Sequence, residues 1–73
     1  MQEESHSIQI QNHGHGRMTV YDPWHGTTDI AEEDLSTYLQ QFNDDRFSIS
    51  ISHAGPLMEG SEYPADVHVL IRR

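Results

Sequence analysis

Hydrophobic and polar residues alternate in four short stretches of this chain and follow a helical period in a fifth. Ser5–Gln11 reads SHSIQIQ, with His6, Ile8 and Ile10 on one side and Ser7, Gln9 and Gln11 on the other. Arg17–Tyr21 places Met18 and Val20 opposite Arg17, Thr19 and Tyr21. In Arg46–His53, Phe47, Ile49, Ile51 and His53 share one side, and Ser48, Ser50 and Ser52 share the other. Ala65–Arg72 closes the pattern with Val67, Val69 and Ile71 inward and Asp66, His68 and Leu70 outward. A period of two is that of a strand half-buried on one face, so four strands are expected.

Between the second and third runs, Ala31, Leu35, Tyr38, Leu39 and Phe42 form one apolar stripe at helical spacing. This predicts a helix over Thr28–Phe42 (TDIAEEDLSTYLQQF). Thr28 or Asp29 is the expected N-cap, Asp29 with Glu32 has capping-box spacing, and Asn43 suits a left-handed stop. Asp29, Glu32, Glu33 and Asp34 would lie near the positive end of the helix dipole.

Glycine and proline punctuate the rest. Asn12–Gly16 and Asp22–Gly26 read as turns, and Gly55-Pro56, Gly60 and Pro64 make 54–64 a long mobile loop. Residues 1–4 read as a frayed end. The expected architecture is one small α+β domain over residues 1–73. Its two layers are a four-stranded, mainly antiparallel sheet in β-β-α-β-β order and one helix packed on one face. The opposite face, carrying Gln9, Gln11, Thr19, Ser48, Ser50 and Ser52, needs no second layer.

Composition narrows the function more than the fold. The chain has 73 residues, 34% of them hydrophobic, so its core is limited, and oligomerisation is one way to bury more surface. It has no cysteine, which removes disulfides and thiolate metal sites and suits a cytoplasmic protein. The polar, acidic start MQEESHS predicts no signal peptide, and the apolar run Val69-Leu70-Ile71 is far too short to span a bilayer.

Charge is the dominant global signal. Twelve acids face four arginines and no lysine, for a formal net charge of −8. Ten of those acids lie between Asp22 and Asp66, where Arg46 is the one base. Phosphate contacts need clustered cations, so direct nucleic-acid binding and docking on anionic membranes are both disfavoured. A basic groove on another protein suits this field, with steering that speeds association.

Six histidines make metal binding a reading to weigh. His13 and His15 leave one end of the second strand and His25 the other, about 17 Å apart at strand rise, so they do not converge. No HExxH or other metal spacing occurs, and no metal or other cofactor is expected. The histidines would nonetheless protonate between pH 7 and 5 at ordinary imidazole values, cancelling most of the negative charge and weakening a charge-held complex. There is no GxSxG elbow, no cysteine nucleophile and no phosphate-cradling loop, so an enzyme is not expected.

Trp24, in PWHG, is placed to cover one end of the core or to anchor a partner. Leu57, Met58 and Tyr63 pose the same choice in the long loop. The candidate partner-binding set is therefore Asp29, Glu32, Glu33, Asp34, Trp24, Asp44, Asp45, Leu57, Met58 and Tyr63. The expected function is that of a small acidic inhibitor or adaptor on a basic surface of a larger protein such as a nucleic-acid-handling enzyme. By class and charge, though by no motif, this is the manner of phage-type host inhibitors and DNA mimics. A homo-oligomeric structural component and a histidine-rich metal-binding module are the alternatives.

Overall fold

The structure, a computed structural model, describes residues 5–42 and 48–72. Five strands, β1 (Ser5–Gly14), β2 (Arg17–Asp22), β3 (Gly26–Ala31), β4 (Ser48–Leu57) and β5 (Pro64–Arg72), make one antiparallel sheet. Their order across the sheet is β3-β2-β1-β5-β4. A 3₁₀ turn, Glu32–Asp34, leads into a short helix α1, Leu35–Gln40. The α+β class and the antiparallel sheet agree with the sequence reading. The strand count and order do not: β3 makes five strands, in the order β-β-β-α-β-β.

The correction falls on Thr28–Ala31, read above as the first turn of a helix. Gly26 takes φ +83 at the end of a tight turn in which the His25 amide donates to the Asp22 carbonyl at 3.2 Å. The chain then returns alongside β2, pairing Val20 with Thr28, Thr19 with Asp29 and Met18 with Ile30. Thr27, Thr28 and Ile30 are β-branched, which favours the extended backbone and disfavours a helical turn. Neither Thr28 nor Asp29 caps a helix. Asp29 instead accepts a hydrogen bond from the Thr19 hydroxyl at 2.8 Å, and no side-chain cap hydrogen bond opens the 3₁₀ turn or α1. The Asn43 stop lies outside the described residues, as do Arg46 and Phe47 of the third run.

The remainder of the stripe serves as expected. Leu35, Leu39 and Phe42 are buried with Ile8, Ile10, Met18, Val20, Val67, Val69 and Ile71 in one core, and Tyr38, Ile30, Ile49 and Tyr63 pack against it. β3 and β4 are the two edges of the sheet, so the segment containing α1 links one edge to the other. It is not a crossover between neighbouring strands. β4 continues through Gly55-Pro56 to Leu57, absorbing them in a register shift between Ala54 and Leu57, so the connection to β5 is Met58–Tyr63. Among the described residues no helix is long and apolar enough to cross a membrane.

Candidate functional site

Each end of the sheet gathers residues that are remote in sequence. At one end β1 ends, β2 begins, β3 runs into the 3₁₀ turn, and β4 and β5 are joined. The β1–β2 turn is left-handed at three successive residues, with φ of +83 at Gly14, +56 at His15 and +79 at Gly16. Its backbone lies directly against the β4–β5 connection, and the His15 amide donates to the Glu59 carbonyl at 3.1 Å. A Cβ on Gly14 would stand 3.2 Å from that carbonyl, and one on Gly60 3.3 Å from the His15 ring. Only glycine permits both the backbone conformation and the approach.

Asn12 fastens this end from inside. Its buried amide donates to Ser61 Oγ at 2.7 Å and to the Tyr63 carbonyl at 2.8 Å, and its oxygen accepts from the Gly14 amide at 2.9 Å. Ser61 Oγ in turn donates to Glu32, whose second oxygen accepts from the Glu62 amide at 3.3 Å. The Glu32 amide donates to the Gly16 carbonyl at 2.8 Å. These bonds bring Glu32, Glu33 and Asp34 together with Glu59 and Glu62, from segments about thirty residues apart. Arg17, at the start of β2, is the one arginine described at this end, with His13 and His15 beside it. Among the described residues the only carboxylate contacts to a basic side chain at ion-pair distance are those of Asp22 with His6 and His25, so none of these five carboxylates is ion-paired there.

The opposite end holds a buried carboxylate. The Asp22 side chain is 0% exposed and accepts four hydrogen bonds. Oδ1 takes His6 Nε2 at 2.7 Å and the Trp24 amide at 2.8 Å, and Oδ2 takes His25 Nδ1 at 2.7 Å and the Tyr38 hydroxyl at 3.0 Å. Burial alone would raise the Asp22 pKa, but the bonds from His25, Trp24, Tyr38 and His6 together outweigh it and lower it to about 2. For Tyr38, burial, the hydrogen bond to Asp22 and its negative charge all act upward, to about 12. Trp24 stacks on His6 with centroids 3.5 Å apart and planes 11° apart, and Phe42 meets both imidazoles at 5.6 Å.

An ionised carboxylate only accepts, so both imidazoles are donors and neither is poised as a base toward it. The arrangement is a satisfied polar plug. On the outer face Thr19 gives its proton to Asp29, so the nitrogen of His13 at 2.7 Å must itself donate to Thr19. The order His–Thr–Asp therefore does not activate the hydroxyl. Among the described residues no group of three or more His, Asp or Glu is arranged to hold a metal ion. His13 and His15 lie at the acidic end and His25 at the other, as their places on either side of β2 require.

The candidate set thus divides. Glu32, Glu33 and Asp34 share the acidic end with Leu57, Met58 and Tyr63; Leu57 is 64% exposed, and Met58 and Tyr63 are half-buried. Asp29 lies nearby on the outer face of β3. Trp24 is at the far end, 59% exposed yet stacked on His6, so one ring face covers the core and the other meets solvent. Asp44 and Asp45 lie outside the described residues. Glu59 and Glu62 were missed because only the fold of the connection carries them to Glu32. The Asp22 plug left a trace in sequence: His6 shares a face with Ile8 and Ile10, and Asp22 shares one with Met18 and Val20. No family model, curated protein or solved structure matches the chain.

Proposed function

We propose that this chain is a small acidic protein-binding module, an inhibitor or adaptor that docks through its carboxylate-rich end on a basic surface of a larger protein. The observation that carries the reading is the meeting of Glu32, Glu33 and Asp34 with Glu59 and Glu62 on a hydrogen-bonded frame. A held cluster loses less entropy on binding than carboxylates on a loose chain, and its field steers a basic partner toward it. Exposed Leu57 beside the carboxylates adds apolar surface at the same end. Phosphate-binding grooves are basic and elongated, so a nucleic-acid-handling enzyme is the partner class this charge distribution suits best.

The test is affinity capture from the native host on the immobilised chain, at low and raised salt, with and without added duplex DNA. The account expects one basic nucleic-acid-handling protein, bound less as salt rises and released by the duplex. Capture indifferent to both salt and DNA contradicts it.

A further inference from the structure

The two sheet edges are built differently. β3 carries Asp29 and runs directly into Glu32, Glu33 and Asp34, so its edge repels another acidic strand. β4 is ten residues long, SISISHAGPL, with no carboxylate, lysine or arginine and His53 as its one titratable side chain, and among the described residues it pairs only with β5. Edge strands are commonly guarded by charge, proline or brevity. Over Ser48–Ser52, β4 has none of these guards.

The sequence of that edge is a palindrome, Ser48-Ile49-Ser50-Ile51-Ser52. A strand of this kind presents the same row of side chains read in either direction. An antiparallel copy centred on Ser50 sets Ser48 against Ser52, Ile49 against Ile51 and Ser50 against its own equivalent. Serines then continue the polar face and isoleucines continue the core face. The core face is incompletely covered here: Ile51 is 42% exposed, and a groove of about 430 Å³ runs between α1 and β4, lined by Leu35, Leu39, Ile49, Ile51 and Tyr63.

We propose that β4 is a self-pairing edge, and that a second copy of this chain adds its own β4 antiparallel to form a ten-stranded sheet. Charge identifies the occupant. A second copy carries −8 and is repelled by most of this surface, but along β4 it meets no carboxylate. β4 ends at the acidic end of the sheet and begins at the end where Arg72 lies. The antiparallel arrangement therefore sets the two acidic ends at opposite corners and turns each toward the partner's Arg72 end. The contact is isologous, as a two-fold dimer requires, and leaves Glu32, Glu33, Asp34, Glu59 and Glu62 of both copies outside it. It is independent of whether those carboxylates bind a partner.

The test is sedimentation equilibrium of the full chain from low micromolar to near-millimolar concentration. The expected mass rises from one chain of 8.4 kDa to two. Ser50 is exposed on the polar face, so Ser50→Glu leaves the core intact while setting two carboxylates opposite each other across the dyad. It should weaken self-association roughly tenfold or more. Ser7→Glu, on the same face of central β1, adds the same charge and should leave the dimer in place. Amide exchange of the wild type supplies a reading without variants, since protection along Ser48–Ser52 should grow with concentration. A single-chain mass throughout, a dimer unaffected by Ser50→Glu, or exchange along β4 that ignores concentration overturns the proposal.

Discussion

Asp22 is the residue on which the structural account can be tested most sharply. Four donors face its two buried oxygens, and the buried His6 in particular has no solvent to turn to without them. Asp22→Asn keeps the shape but replaces one acceptor oxygen by a donor amide, so two of the four donors lose their partner. Chemical denaturation should show a loss of about 2–4 kcal/mol. The pH dependence has a definite sign. The Asp22 pKa falls from 3.8 to about 2 on folding, so its ionised form stabilises the fold above pH 3.8. That contribution, about 2 kcal/mol, is lost as pH falls through 2, and the Asn variant should lack this acid limb. Tyr38 works at the other extreme. Its pKa rises from 10.0 to about 12, so the neutral phenol stabilises the fold below pH 10 and the benefit is lost as pH climbs toward 12. Tyr38→Phe should flatten the alkaline limb of a melting-temperature profile and cost about 1 kcal/mol at neutral pH.

Among the elements, the two connections that meet at the acidic end do more than join strands. Gly60 combines φ +73 with a Cβ direction that points at His15, so Gly60→Ala should lower stability by about 1–2 kcal/mol in a thermal melt. The alternation of Ile8 and Ile10, of Met18 and Val20, and of Val67, Val69 and Ile71 was legible because period two survives any strand order. So was the Leu35–Leu39–Phe42 stripe. What misled was Thr28–Ala31. Its spacing relative to Leu35 fits a helix, but Thr28 and Ile30, with Thr27 before them, beside a tight turn fit a third strand against β2, and pairing with Met18–Val20 decides the contest. Local signals also could not reveal that Glu32 meets Ser61 and Glu62, since nothing near either segment encodes the contact. Gly55-Pro56 looked like the start of a loop because proline interrupts a ladder; at an edge strand it is tolerated as a bulge.

At the scale of the molecule, the proposed function rests on how charge is distributed along a body of 43 × 22 × 19 Å. One end concentrates carboxylates on a stitched frame, the other closes over a fully hydrogen-bonded Asp22, and an edge without carboxylate, lysine or arginine runs between them. The division of labour lets the acidic end be altered without touching the core. Glu33 and Asp34 are exposed and make no cap or ion pair among the described residues. Replacing surface carboxylates of this kind changes stability by no more than about 0.5 kcal/mol. Charge-steered association, by contrast, responds to each such change through its rate and salt dependence. The most direct measurement is therefore capture of the proposed basic partner by wild type and by a Glu33→Gln, Asp34→Asn, Glu62→Gln triple variant, with both melting temperatures recorded. The account expects nearly equal melting temperatures, with capture by the variant reduced at least tenfold and its salt dependence shallower. Undiminished capture by a folded variant would contradict it.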